Sequence, residues 1–320
     1  MPASTHPQPN PGNTTMGISH HLKDIGRGKD GARAISRHAA ADLMGQLLDG
    51  SLSDLEVGAF CIAMRVKGET AEEMAGFLDA VHGRLEMLPA STRPLVVLPS
   101  YNGARKLPLL TPLLALLLAK RGLPVLVHGQ ATEDKRACTS EDVLAALGIP
   151  ALTELDEILP GQVAFAPTAL LLPGLQRLLD VRRTLGLRNS AHSLVKLMDP
   201  LAPVAGDSLI VGSYTHPEYA LSMAATIALT GSDALLLRGT EGEPVADARR
   251  TPQMDGFLSG RPQRLQEAQT GPLTALPQLP DAIDTASTAA YTRAVLDGSA
   301  PVPGPIALQV EHIVQLAQKI

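Results

Sequence analysis

The stretch "PLVVLPSYNGARKLPLLTPLLALLLAKRGLPVLV", residues 94–127, decides the architecture. An apolar β-rich run, Leu95–Leu98, ends in a turn, and a leucine-rich helix follows from Thr111 to Arg121. In this reading Thr111 is the N-cap and Pro112 the first helical residue, a position where its missing N–H costs nothing. Gly122 stops the helix and a second β-rich run, Pro124–Val127, begins. Strand, helix and strand in this order mean a right-handed crossover between parallel strands. The alternation returns downstream. Thr139 or Ser140 caps "EDVLAALG", Ser208–Gly212 and Asp233–Leu237 read as strands, and a helix surrounds Glu218–Leu229. The expectation is an α/β domain over 93–320 with a mainly parallel central sheet. Ligands of such sheets gather at the carboxyl ends of the strands. The loops 99–106, 128–140 and 238–247 are therefore the candidates.

Residues 16–92 carry no strand signal and are read as a small all-helical domain. An amphipathic run from Ser36 ends at Gly50, and Ser53 with Glu56 forms a capping-box pattern. The helix after it has apolar residues at Leu55, Ala59, Phe60, Ile62, Ala63 and Val66, which fits helical spacing. Gly68 stops that helix and Thr70 caps the next. Residues 171–199 are helical in character again; they are expected to pack on this domain and form one wall of a cleft. Residues 1–15 hold four prolines and nothing to pack, so a mobile tail is expected there.

The totals limit the function classes. With 320 residues, 45% of them hydrophobic and 18% charged, the chain is globular rather than disordered. The most apolar stretch, Leu107–Ala119, is too short to span a bilayer. No signal-peptide pattern opens the sequence, and Cys61 and Cys138 make no disulfide framework. A cytoplasmic protein with buried thiols and no membrane contact is expected.

Net charge is −5, yet the charges are unevenly placed. Residues 87–132 contain no acid but hold Arg93, Arg105, Lys106, Lys120 and Arg121. Residues 181–198 contain none either, and hold Arg182, Arg183, Arg188 and Lys196. Such islands permit a local anion site. There is no Trp, with only four Phe and four Tyr, so few bases could be stacked on aromatic platforms. Tyr214 and His216, just ahead of a helix, are the candidates for stacking and are expected to be exposed.

Three segments resemble the anthranilate phosphoribosyltransferase family, glycosyltransferase family 3. "LEVGAFCIAMRVKGETAEEMAGFLDAV" (55–81) is similar to its helical domain. "VHGQATEDKRACTSEDVLAALG" (127–148) is similar to its Lys-His-Gly-Asn loop and the following helix, with Val127 in place of the lysine and Gln130 in place of the asparagine. "VRRTLGLRNSAHSLVKLMDPLA" (181–202) is similar to its Arg-x-x-Leu-Gly-x-Arg-Thr-x-x-Asn segment. The matches run in order from about residue 20 to 300 and imply a small helical domain, a larger α/β domain and a homodimer formed through the helical domain.

The same comparison shows what is altered. The family cradles diphosphate with Gly-Thr-Gly-Gly-Asp, where this chain has Pro99-Ser100-Tyr101-Asn102-Gly103-Ala104-Arg105-Lys106. Side chains in place of glycines narrow the space into which backbone amides admit a phosphate. Where the family has an adjacent Asp-Glu for magnesium, "RGTEGEPVAD" (238–247) places Pro244 and Val245, which ligate nothing. Glu241 and Glu243 stand nearby and are metal ligands only if the chain is a transferase. The altered motifs resemble the YbiB-like side branch of the family, and that resemblance implies nucleic-acid binding rather than catalysis.

The residues assigned to phosphate or nucleic-acid contact are Ser100, Asn102, Gly103, Arg105, Lys106, His128, Arg182, Arg183, Arg188, Asn189, His192 and Lys196. None is expected to be catalytic or to bind metal. The expected partner is DNA or RNA with low sequence specificity. Under the alternative, a phosphoribosyl or glycosyl transferase with altered substrate, phosphoribosyl pyrophosphate and magnesium would be required.

Overall fold

A computed structural model of the chain describes residues 17–28, 30–86, 88–89, 91–130, 138–201, 208–273 and 276–320. The mobile tail expected over 1–15 lies outside them. Four helices come first: α1 (Ser19–Ile25), α2 (Arg37–Asp49), α3 (Asp54–Lys67) and α4 (Ala71–His82). Their starts are set by local chemistry. Ser36 accepts from the amide of Ala39, and Ser53–Glu56 and Thr70–Glu73 both close reciprocal capping boxes. Glu73 is fully buried yet satisfied, taking the Ile35 amide at 3.0 Å and the Lys67 ammonium at 2.6 Å. At Gly76 a side chain would start 2.1 Å from the Arg37 carbonyl, so only glycine lets α2 and α4 approach this closely.

The remaining chain alternates strands and helices: β1 (Leu95–Ser100), α5 (Thr111–Lys120), β2 (Val125–Gly129), α6 (Ser140–Ala146), β3 (Val163–Pro167), α7 (Thr168–Leu171), α8 (Pro173–Leu185), α9 (Ala191–Leu194), β4 (Ser208–Tyr214), α10 (Pro217–Thr230) and β5 (Ala234–Arg238). Two strands, β6 (Met254–Leu258) and β7 (Arg261–Gln266), and two helices, α11 (Thr285–Asp297) and α12 (Gly304–Ala317), complete it. The sheet order is β3-β2-β1-β4-β5-β6-β7. β1 to β5 are parallel, as the alternation predicts, and β6 and β7 extend the sheet antiparallel.

Period-two alternation divides the strands between two cores. Leu95 and Val97 of β1 face a cluster shared with the helical domain, α8 and α10. Val96 and Leu98 face the opposite cluster, with α5 and α12. The 171–199 segment lies against the helical domain: Arg177 donates to the Leu48 carbonyl at 2.9 Å, and Arg65 donates to the Arg188 carbonyl at 3.2 Å. Cys61 and Cys138 are buried free thiols, and burial pushes both up to about 11. Among the described residues no helix is long and apolar enough to cross a membrane.

One local expectation is corrected. Thr111 is the first residue of α5 rather than its N-cap, because its hydroxyl is given to Glu243 at 3.0 Å. On α3 the buried side chains are Phe60, Cys61 and Met64, whereas Leu55 is 82% exposed, Val66 56% and Ile62 42%. The helix packs against the domain with one flank only, and the other flank carries an apolar stripe at the surface.

Candidate functional site

Strand order reverses at β1, which has β2 on one side and β4 on the other. A sheet opens a crevice at such a switch point, outside the carboxyl ends of the strands. The loop leaving β1 fills it, and two carboxylates from the turn after β5 hold that loop. Glu243, 1% exposed, accepts from the amides of Asn102 at 2.7 Å and Gly103 at 3.0 Å, and from the hydroxyls of Thr111 at 3.0 Å and Ser100. Glu241 accepts from the amides of Arg105 at 2.9 Å, Lys106 at 3.1 and 3.2 Å, and Leu107 at 3.4 Å. The loop after β1 thus still converges its N–H groups on anions, and the anions are the chain's own. Gly103 holds φ +65°, and Gly242, at φ +88°, leaves no room for a side chain, which would start 2.1 Å from Asn102 Nδ2.

Beside these carboxylates opens a cleft of about 600 Å³ between the helical and α/β parts. Arg65, Arg105, Lys106, Arg182, Arg188 and Lys196 line it, and Glu241 is the one carboxylate among its described lining residues. Asn102, Gly186, Leu187, Thr215 and His216 complete the lining. Arg188 is aimed by a 2.8 Å bond from its guanidinium to Asn102 Oδ1. Arg65, Arg188, Lys196, Thr215 and His216 also line an adjoining pocket of about 300 Å³, which reaches Asn189, His192, Tyr214 and Tyr219. Tyr219 is 43% exposed and its ring lies 6.5 Å from that of His216.

Of the assigned residues, the structure brings Asn102, Arg105, Lys106, Arg182, Arg188 and Lys196 to the open cleft. Asn189 and His192 reach the adjoining pocket. Asn189 is largely structural there, donating to the Leu178 carbonyl at 2.7 Å and accepting the Ala191 amide at 3.1 Å. Several assignments are corrected. Ser100 is buried and spends its hydroxyl inside the loop, on Glu243. Gly103 offers its amide to Glu243 rather than to a ligand. Arg183 faces Asp180 at 3.2 Å and is not among the residues lining the cleft.

His128 is fully buried, and burial pushes its imidazole down to about 3. It lies 2.9 Å from the Tyr101 hydroxyl, which lies 3.0 Å from Thr168 Oγ1, and Thr168 donates to the Gly129 carbonyl. Because Thr168 spends its proton there, Tyr101 must donate to Thr168 and His128 Nδ1–H to Tyr101. The ring is a neutral tie inside the fold, out of reach of any phosphate. Tyr214, expected to be exposed, is buried as the last residue of β4. Lys196 lines the cleft but also donates to the carbonyls of Gly242 at 2.8 Å and Ser213 at 3.2 Å. Burial pushes its ammonium down to about 8; Glu243 holds it up, and Arg188 and Arg105 push it lower.

Arg65 and Thr215 escape the sequence reading, whereas His216, named there as a stacking candidate, is exposed at the cleft. Arg65 sits in the last turn of α3, where a cation is also explained by the helix dipole. Glu241 and Glu243 enter that reading only as metal ligands. Their oxygens face N–H and O–H donors, a setting for an anion and not for a cation. With Pro244 and Val245 beside them, the residues of this turn do not fit a magnesium ion.

A family model described as the helical bundle domain of the glycosyl transferase family matches residues 20–83. The chain is 40% identical over 298 residues to the protein YbiB of Escherichia coli (strain K12), covering 90% of this chain and 91% of that one. It is 30% identical over 250 residues to the anthranilate phosphoribosyltransferase of Salinispora arenicola, covering 75% of this chain and 65% of that enzyme. The crystal structure of anthranilate phosphoribosyltransferase from Thermus thermophilus matches with a TM-score of 0.70 at 24% identity, over 90% of this chain and 85% of that one. The chain belongs to the anthranilate phosphoribosyltransferase family, glycosyltransferase family 3, as a homologue of YbiB.

Proposed function

We propose that this member of the family is a non-catalytic nucleic-acid-binding protein that holds DNA or RNA by its phosphates, with little sequence preference. One observation carries the reading: cations from three distant segments, Arg65, Arg105–Lys106 and Arg182–Lys196, line a single open cleft in a chain of net charge −5. A transferase of this family type would need a free diphosphate in the loop after β1, where the carboxylates of Glu241 and Glu243 lie. Exposed aromatic side chains near the cleft amount to Tyr219 beside His216 among the described residues, so stacking adds little.

The test is filter binding of a mixed-sequence oligonucleotide at two salt concentrations. About four phosphate contacts per cleft correspond to a loss of about a hundredfold in affinity between about 50 and 200 mM salt. Absence of binding at the lower salt removes the proposal. Calorimetric titration with phosphoribosyl pyrophosphate and magnesium addresses the transferase reading, and tight magnesium-dependent binding would favour it.

The homodimer belongs to the same proposal. Leu55, Ala59, Ile62 and Val66 lie on one exposed flank of α3, within the helical domain through which dimerisation is expected. An exposed apolar stripe of this kind marks an interface. Leu55→Lys with Ile62→Lys is expected to halve the mass seen by light scattering while leaving the far-UV circular dichroism unchanged. An unchanged mass, or a wild-type protein that is already monomeric, would end this part of the proposal.

A further inference from the structure

We infer that the Glu241 carboxylate is a displaceable stand-in for a phosphate: a phosphate group entering the cation cleft takes its place on the backbone amides of Arg105, Lys106 and Leu107. The inference rests on the cleft's proposed role as a polyanion site. It adds a contact made by the backbone, and a competitor built into the chain.

The two carboxylates of the turn differ in kind. Glu243 is 1% exposed and bound partly by hydroxyls of Ser100 and Thr111 in the interior, so it is a permanent tie. Glu241 is partly exposed, lines the open cleft, and is held by backbone N–H groups alone in the described contacts. Three consecutive amides turned to one point make a concave site whose chemistry suits phosphate oxygens as well as it suits a carboxylate. The side chains of Arg105 and Lys106 line the same cleft, so a phosphate on these amides also meets their charges.

Glu241 holds this position at a cost. Its φ is +54°, one of two non-glycine residues in the left-handed region among those described. Such a conformation persists where surrounding contacts enforce it, here the amides themselves. Release lets the backbone relax and removes the carboxylate from the path of a polyanion. A ligand that must displace an internal group binds with an apparent affinity reduced by the fraction of time the site is open.

The ligand class is a phosphate, either the phosphodiester of a strand or a free phosphate. The experiment follows the amide resonances of Arg105, Lys106 and Leu107 in uniformly ¹⁵N-labelled full-length protein. A 12-nucleotide single strand and inorganic pyrophosphate are titrated separately, into wild type and into Glu241→Gln. Displacement predicts that the three amides move in wild type and reach, at saturation, the positions they take in saturated Glu241→Gln. It also predicts that Glu241→Gln binds the strand about tenfold more tightly, as for a site open about a tenth of the time. Tighter binding without movement of the three amides would mean that a repulsive charge was removed and nothing displaced, and would overturn the inference. So would a strand that binds wild type and shifts other cleft residues while these three stay still. If the strand does not bind but pyrophosphate moves the three amides, the displacement stands, its source is a free phosphate, and the nucleic-acid reading falls. If neither probe moves the amides in either protein, the inference is wrong.

Discussion

Replacing Glu243 with alanine is expected to lower the melting temperature by about 6 °C, corresponding to a loss of about 4 kcal/mol. The reason is the number of groups the side chain satisfies. Its removal leaves the amides of Asn102 and Gly103 and the hydroxyls of Ser100 and Thr111 without their shared acceptor, in a place where Glu243 itself is 1% exposed. Each buried donor left unpaired costs about 1–3 kcal/mol, reduced where water or a neighbour such as Ser140 can take over. The substitution also strips the largely buried Lys196 of the carboxylate that holds its ammonium up. Glu243→Gln should recover part of the loss, because its carbonyl oxygen can keep the two amides while its NH2 donates to the hydroxyl oxygens of Ser100 and Thr111. Differential scanning calorimetry decides the matter. Melting within about 2 °C of wild type would show that the loop does not depend on this carboxylate.

The second large effect is on binding. Changing Arg65, Arg105 and Lys106 together to alanine is expected to weaken oligonucleotide binding by more than about a hundredfold at about 0.1 M salt. Every phosphate that is no longer neutralised should also flatten the plot of log affinity against log salt by about 0.9 for a duplex. These three side chains suit the test because their removal leaves the bond between Arg188 and Asn102 in place. The Arg105 and Lys106 amides that hold Glu241 are backbone and survive the change. Arg183→Ala, outside the cleft, is the control and should bind within about twofold of wild type. Equal losses in the control and the triple variant would move the binding face elsewhere on the molecule.

Much of the architecture is legible without coordinates. The 94–127 stretch, the Ser53 and Thr70 capping boxes and the Thr139 cap are local features, and local chemistry decides them in the fold as well. The antiparallel pair β6 and β7 escapes a sequence reading because neither strand carries a strong apolar alternation; β7 reads RPQRLQ and lies largely uncovered. The stripe on α3 is legible as apolar and helical, and its exposure is not. Periodicity tells which residues share a flank, and it does not tell whether another element covers that flank.

The candidate site is legible in its cations and not in its anions. Acid-free islands at 87–132 and 181–198 point to Arg105, Lys106, Arg182, Arg188 and Lys196, and these converge on one cleft. Arg65 stays hidden because an arginine in the last turn of a helix has an ordinary local explanation. By itself the sequence determined the family, the helical start, the parallel strand–helix alternation that follows it, and the filling of the old glycine-rich loop by larger residues. Only the tertiary structure decided that Glu241 and Glu243, more than 130 positions away in the chain, would lie on that loop's amides. Backbone N–H groups carry no letter in a sequence, and a carboxylate's role depends on whether it meets donors or a cation. Where packing brings the turn after β5 against the loop after β1, donors are what it meets.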